Sequence, residues 1–85
     1  MSGRWGADDS VWRQLANEIS ARIADGTYVL GSALPAEDEL ASEYAVARLT
    51  VRRALAELRR RKLITTRYRR GSVVVAMPPP GGLPG

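Results

Sequence analysis

The chain has 85 residues, 45% hydrophobic and 26% charged, with a formal net charge of +4; that is room for one domain around a single modest core, in a chain too apolar to stay unfolded. It contains no cysteine and no histidine, which excludes disulfides, thiolate nucleophiles, the common zinc-ligand sets and a Ser-His-Asp triad. No apolar run approaches the roughly 20 residues that a membrane-crossing helix needs, and no apolar stretch follows Met1 to Gly6, so a cytoplasmic, nucleoid-associated protein is expected.

The charge is divided unevenly along the chain. Residues 1–46 hold three basic and eight acidic side chains, whereas residues 47–85 hold ten basic ones against Glu57 alone. Such a division predicts one face built for a polyanion. Lys62 is the only lysine among the thirteen basic residues. Arginine's planar fork suits bidentate bonding to phosphate or guanine, although a GC-rich genome also enriches it.

Residues 1–9 read as a flexible leader. Asp8, Asp9 and Ser10 then signal a helix start. Trp12, Leu15, Ala16, Ile19 and Ile23 follow at helical spacing and predict an amphipathic helix over 10–25, with Gly26 just past its last turn. A connector over 27–35 ends in Pro35, a residue tolerated at a helix start. Glu37, Asp38 and Glu39 suit the first turn of a short helix, 36–44, that turns Leu40, Ala41 and Tyr44 inward. Ala45 and Val46 read as the turn, with Val46 buried.

The third helix is expected over 47–62. Val51, Ala54, Leu55 and Leu58 fix its buried face. At about 100° per residue, Leu49 and Arg53 project almost opposite that face, with Arg52 beside them and Arg48 and Thr50 on the rim. The closing run Arg59-Arg60-Arg61-Lys62 reads either as a solvated, dipole-matched helix end or as a phosphate clamp. A hairpin follows, with Leu63 to Thr66 as first strand, Arg67 to Gly71 as turn and Ser72 to Ala76 as second strand. Residues 77–85 read as a Pro/Gly-rich disordered tail.

The predicted architecture is mainly α with a small β-hairpin: a three-helix winged helix-turn-helix over 10–76. An α-helix fits the major groove of B-DNA, and side chains near its N-terminal end reach base edges. The candidates are Arg48, Leu49, Thr50, Arg52 and Arg53, with Arg48 and Arg52 suited to guanine, Thr50 to a phosphate or a base, and Leu49 to a thymine methyl. The wing, 67–71, offers Arg69, Arg70 and Gly71 to the adjacent minor groove or backbone.

These residues also carry a resemblance. The blocks L-P-A-E-x-E-L-A, V-x-R-x-T-V-R-R-A-L and R-G-S-V-V, in this order and spacing, are similar to the DNA-binding domain of the GntR family of bacterial regulators over about residues 10–76. The resemblance implies a sequence-specific transcriptional regulator, with DNA contacts from Arg48, Thr50 and Arg52 and from Arg70 and Gly71 at the wing. The chain departs from the family's usual pattern at four positions. Asp38 replaces an arginine, Ala47 a serine or threonine that would cap the third helix, Leu49 a threonine, and Arg69 a second wing glycine. Together these imply an altered operator or weaker binding. Family members also append an effector-binding domain, for which the tail offers no counterpart, so no small-molecule site is expected.

The expected partner is double-stranded DNA, with a second copy on a palindromic operator or a partner protein as further candidates; no membrane partner and no cofactor is expected. Repression is favoured over activation, because occupying a promoter most simply blocks polymerase. The alternative is a winged-helix interaction module that holds another protein and binds DNA secondarily, through Trp5, Trp12, the acidic half and the tail. An enzyme built on Glu37, Asp38 and Glu39 is disfavoured, since dipole complementarity explains those carboxylates. RNA or membrane binding fits the charge, but the basic half lacks stacking aromatics beyond Tyr68 and the hairpin is too short for an RNA-binding sheet.

Overall fold

The computed structural model describes residues 10–78. Three helices, α1 (Val11–Ala24), α2 (Glu37–Tyr44) and α3 (Arg48–Arg60), precede an antiparallel hairpin of β1 (Ile64–Arg67) and β2 (Gly71–Val74). Both α1 and α2 pack on α3, and β1 leaves α3 to close the remaining side. The expected flexible leader at 1–9 lies outside the described residues, as does the tail from 79 onward. Met77 and Pro78 belong to no regular element.

The helices follow the apolar periodicity. Leu15, Ile19 and Ile23 of α1, Leu40 and Tyr44 of α2, and Val51, Leu55 and Leu58 of α3 join Ile64 and Val74 in one buried cluster. Removing each such side chain from water contributes about 1.5–3 kcal/mol. Trp12, expected inside, is only half-buried: it stands at the first turn of α1, beyond the cluster, and borders Arg53, Ala56, Glu57 and Arg60 of α3. Val46, also expected inside, packs half-buried against the cluster's edge.

Buried polar groups are bonded. Tyr44 is fully buried, yet its hydroxyl accepts from Arg22 Nη1 at 2.7 Å and lies 2.9 Å from the Tyr28 hydroxyl. Arg22 continues the network to Glu18 at 3.1 Å and Glu43 at 3.5 Å, tying α1 to α2. Burial, followed by the bond to Tyr28, pushes the Tyr44 phenol above its ordinary range, so it stays neutral at physiological pH.

Chain reversals follow the backbone's needs. Gly26 takes φ +88°, and Tyr28 N–H then reaches back to the Arg22 carbonyl at 3.0 Å, closing α1. Between α2 and α3, Ala45 holds φ +57°, and Val46 N–H bonds the Ala41 carbonyl at 3.0 Å.

The hairpin differs from expectation in its strand limits. Thr65 pairs with Val73 and Arg67 with Gly71, so both strands reach one residue further toward the tip, β2 ends at Val74 rather than Ala76, and only Tyr68, Arg69 and Arg70 turn. The connector over 27–35 is not merely a connector: Ala33 bridges Val73 antiparallel. Gly31 N–H bonds the Val74 carbonyl at 2.8 Å and Leu34 N–H the Ser72 carbonyl at 2.8 Å. An isolated two-stranded ribbon is marginal in water, and this third segment braces it.

Candidate nucleic-acid interface

The interface begins with how α3 is presented. Ala47 occupies its N-cap position with no side-chain capping bond, in keeping with the loss of a hydroxyl there. At the opening of the helix Arg48 and Leu49 are exposed, Leu49 at 65%, and Thr50 is half-buried. Arg52 and Arg53 are exposed one turn further on.

Arg52 is already engaged. Its Nη2 donates to Glu37 Oε1 at 3.1 Å, and its Nε lies 3.4 Å from both Glu37 oxygens. The bond to Glu37 raises the guanidinium further above its ordinary range. The pair is solvent-exposed, so it is as weak as surface ion pairs generally are. It therefore orients Arg52 without locking it away.

Glu37 opens α2, whose N-terminal turn is otherwise acidic. Glu39 Oε1 accepts from the Ala36 N–H at 3.2 Å, and Asp38 Oδ1 from the Glu39 N–H at 3.1 Å. Asp38 is exposed there, its carboxylate matched to the positive end of the helix dipole.

The wing carries Arg67, Tyr68, Arg69 and Arg70, all exposed, with Tyr68 at 86%. Arg69 takes φ +65° and its guanidinium lies 5.3 Å from the Tyr68 ring centroid, so the two side chains cover one another at the tip. Gly71, at φ +76°, begins the return strand in a backbone region that few other residues adopt cheaply. Arg70 instead folds toward the connector, where Nη2 donates to the Gly31 carbonyl at 3.1 Å.

Between α3 and the wing runs a cleft of about 540 Å³, lined among others by Glu37, Arg52, Arg59, Thr66, Arg70 and Ser72. It brings Arg52, Arg70 and Gly71 to one place, while Arg48, Leu49 and Thr50 lie beyond it toward the helix start. Arg53 faces the other flank, beside Trp12. Two charged lining residues, Glu37 and Arg59, were outside the predicted set of DNA contacts, although Arg59 belongs to the run read either as a solvated helix end or as a phosphate clamp. Arg59 lies seven residues after Arg52, two helical turns on the same face, and that spacing was a usable signal.

The three-helix and hairpin arrangement meets its counterpart in known proteins. The sequence profile of the bacterial regulatory proteins of the gntR family matches residues 12–74. The chain belongs to the GntR family. Its fold is the family's winged helix, as the sequence predicts. The repressor MngR of the mannosyl-D-glycerate transport and metabolism system in Escherichia coli strain K12 is 38% identical over 64 residues, which is 75% of this chain and 27% of that protein. Among solved structures, a GntR family transcriptional regulator from Listeria monocytogenes superposes with a TM-score of 0.77 at 30% identity, covering 84% of this chain and 62% of that one. BusR of S. agalactiae, solved with its busAB-promotor DNA, superposes with a TM-score of 0.73 at 26% identity over 80% of this chain and 33% of its own. The chain spans about a quarter of the length of the curated relatives it matches. No helix among the described residues is long and apolar enough to cross a membrane.

Proposed function

We propose that this chain is a non-enzymatic, sequence-specific DNA-binding module of a cytoplasmic transcriptional regulator, acting as a repressor. The observation that carries this reading is the exposed arginine face of α3 standing beside an arginine-tipped wing, with a cleft between them. An exposed helix of this width enters a major groove, and a basic hairpin beside it reaches the neighbouring minor groove or backbone. Arg48 and Arg52 read bases, Leu49, Thr50 and Arg53 supplement them, and Arg69, Arg70 and Gly71 hold the adjoining strand. Names of similar proteins support repression: besides MngR, one is an HTH-type transcriptional repressor of Salmonella typhimurium.

Selection from a random duplex library at near-physiological salt tests the reading. An enriched motif is expected, and a twofold repeat within it means two copies on DNA. Arg52→Ala should then weaken the selected site by about 1–3 kcal/mol, with relaxed preference at one base pair. Recovery of DNA without any enriched sequence overturns specific recognition and favours the interaction-module reading. The exposed Val29, Leu30, Val75 and Met77 would then be the surface to examine for a protein partner.

A further inference from the structure

The basic run that closes α3 does not act as a unit, and the structure sorts its members. Glu57 accepts from Arg60 Nε at 3.0 Å and Nη2 at 2.7 Å, and from Arg61 Nε at 2.8 Å. That single carboxylate, whose side chain is only 12% exposed, holds both guanidiniums against the helix. Arg60 consequently stands on the α1 flank of α3, beside Trp12 and Arg53. Arg59 is turned the other way, into the cleft between α3 and the wing. Its Nη1 donates to the Thr66 hydroxyl of β1 at 3.3 Å, and among the described residues no carboxylate lies within ion-pair distance of it. Thr66 is neutral, so the bond fixes the guanidinium while leaving its charge uncompensated.

We infer that Arg59, positioned by Thr66, seats one DNA backbone phosphate in the cleft between α3 and the wing, and that Arg60 and Arg61 do not contact DNA. This rests on the DNA-binding reading above and names a contact within it. A duplex that is engaged by both the recognition helix and the wing must pass a strand between them, and that strand meets the cleft. The cleft presents Arg52, Arg59 and Arg70 against the lone carboxylate of Glu37, with the hydroxyls of Thr66 and Ser72 as further donors. A phosphate's oxygens match that set; Arg59 and Arg70 each bond only a neutral oxygen, and Arg59 is the one whose bond is to a residue lining the cleft. Arg52 keeps Glu37 as its partner, and Arg70 is turned toward Gly31.

Salt titration of binding to a duplex recovered by the selection above tests the inference. It compares the wild type with Arg59→Gln, Arg60→Gln, Arg59→Lys and Thr66→Val, each checked for an unchanged melting temperature. Each phosphate contact contributes a slope of about −0.9 in log affinity against log salt, or about fivefold in affinity at 0.15 M. Arg59→Gln should flatten the slope by about that amount and weaken all sequences alike. Arg60→Gln should leave the slope unchanged, Arg59→Lys should restore most of it, and Thr66→Val should weaken binding by about twofold with the slope retained. An unaltered slope in Arg59→Gln, or equal losses in Arg59→Gln and Arg60→Gln, overturns the inference while the proposed function stands. Failure of the wild type to bind any duplex overturns both.

Discussion

Among the described residues, three that are not glycine, Ala45, Lys62 and Arg69, hold left-handed backbone angles, with φ of 57°, 65° and 65°. Each costs about 1–2 kcal/mol relative to glycine's freedom there, less the entropy that glycine would add to the unfolded chain. Lys62 follows the last turn of α3, where its N–H bonds the Arg59 carbonyl at 3.0 Å and Leu63 N–H bonds Leu58 at 3.1 Å, a helix stop that glycine usually supplies. Lys62→Gly should therefore stabilise the domain by about 0.5–1 kcal/mol, raising its melting temperature by about 2–6 °C. An unchanged or lowered midpoint in a thermal scan would contradict that. At Arg69 the same strain sits on a charged wing tip, so charge is gained where the backbone would prefer glycine. The reading of this position as a usual glycine site agrees with the angle that the residue adopts.

At the scale of elements, the end of α3 is organised by Glu57. Its bonds from Arg60 and then Arg61 hold the carboxyl well below the usual carboxylate range, at about 2. The folded state thus binds this proton more weakly than the unfolded chain. The stability it contributes is full above about pH 4.5, the unfolded value, and is lost as pH falls through about 2. Because Arg60 is well exposed, the contribution is about 1 kcal/mol. Glu57→Gln should cost about that much in urea denaturation at pH 7, and the gap to wild type should close toward pH 2. A gap of constant size across that range would mean that the carboxylate's charge is not what matters.

What the sequence conveyed at this scale follows from the range of each interaction. Helices announce themselves through local periodicity, and α1, α2 and α3 lie within two residues of their expected limits. The hairpin was legible as a hairpin, but strands of four residues give too little alternation to fix their ends, hence limits displaced by one or two residues toward the tip. The bridge from Ala33 to Val73 spans forty residues of chain, and the stretch Val29 to Leu34 has no strand pattern of its own. Among candidate interface residues the exposed face of α3 was readable from its angles. The pairing of Arg52 with Glu37, fifteen residues away, was not, because it depends on how α2 crosses α3. The split of the terminal arginines needed only i,i+3 and i,i+4 arithmetic from Glu57, which a reading of the run as one block passed over.

For the molecule as a whole, α1, α2 and β1 all meet at α3. Leu58 is fully buried in the cluster that also holds Leu15, Ile19, Ile64 and Val74. Leu58→Ala should cost about 2–5 kcal/mol, a large share of what a domain this small possesses. Urea denaturation would measure it, and a loss under about 1 kcal/mol would mean that the helices and hairpin do not share one core. The bridge from the connector to β2 has a separate consequence. A short ribbon normally leaves a row of unpaired amides and carbonyls at its margin, a template onto which another polypeptide can add. Here Gly31, Ser32 and Leu34 already occupy that row on β2. Strand addition onto that margin of β2 is therefore blocked in the folded molecule.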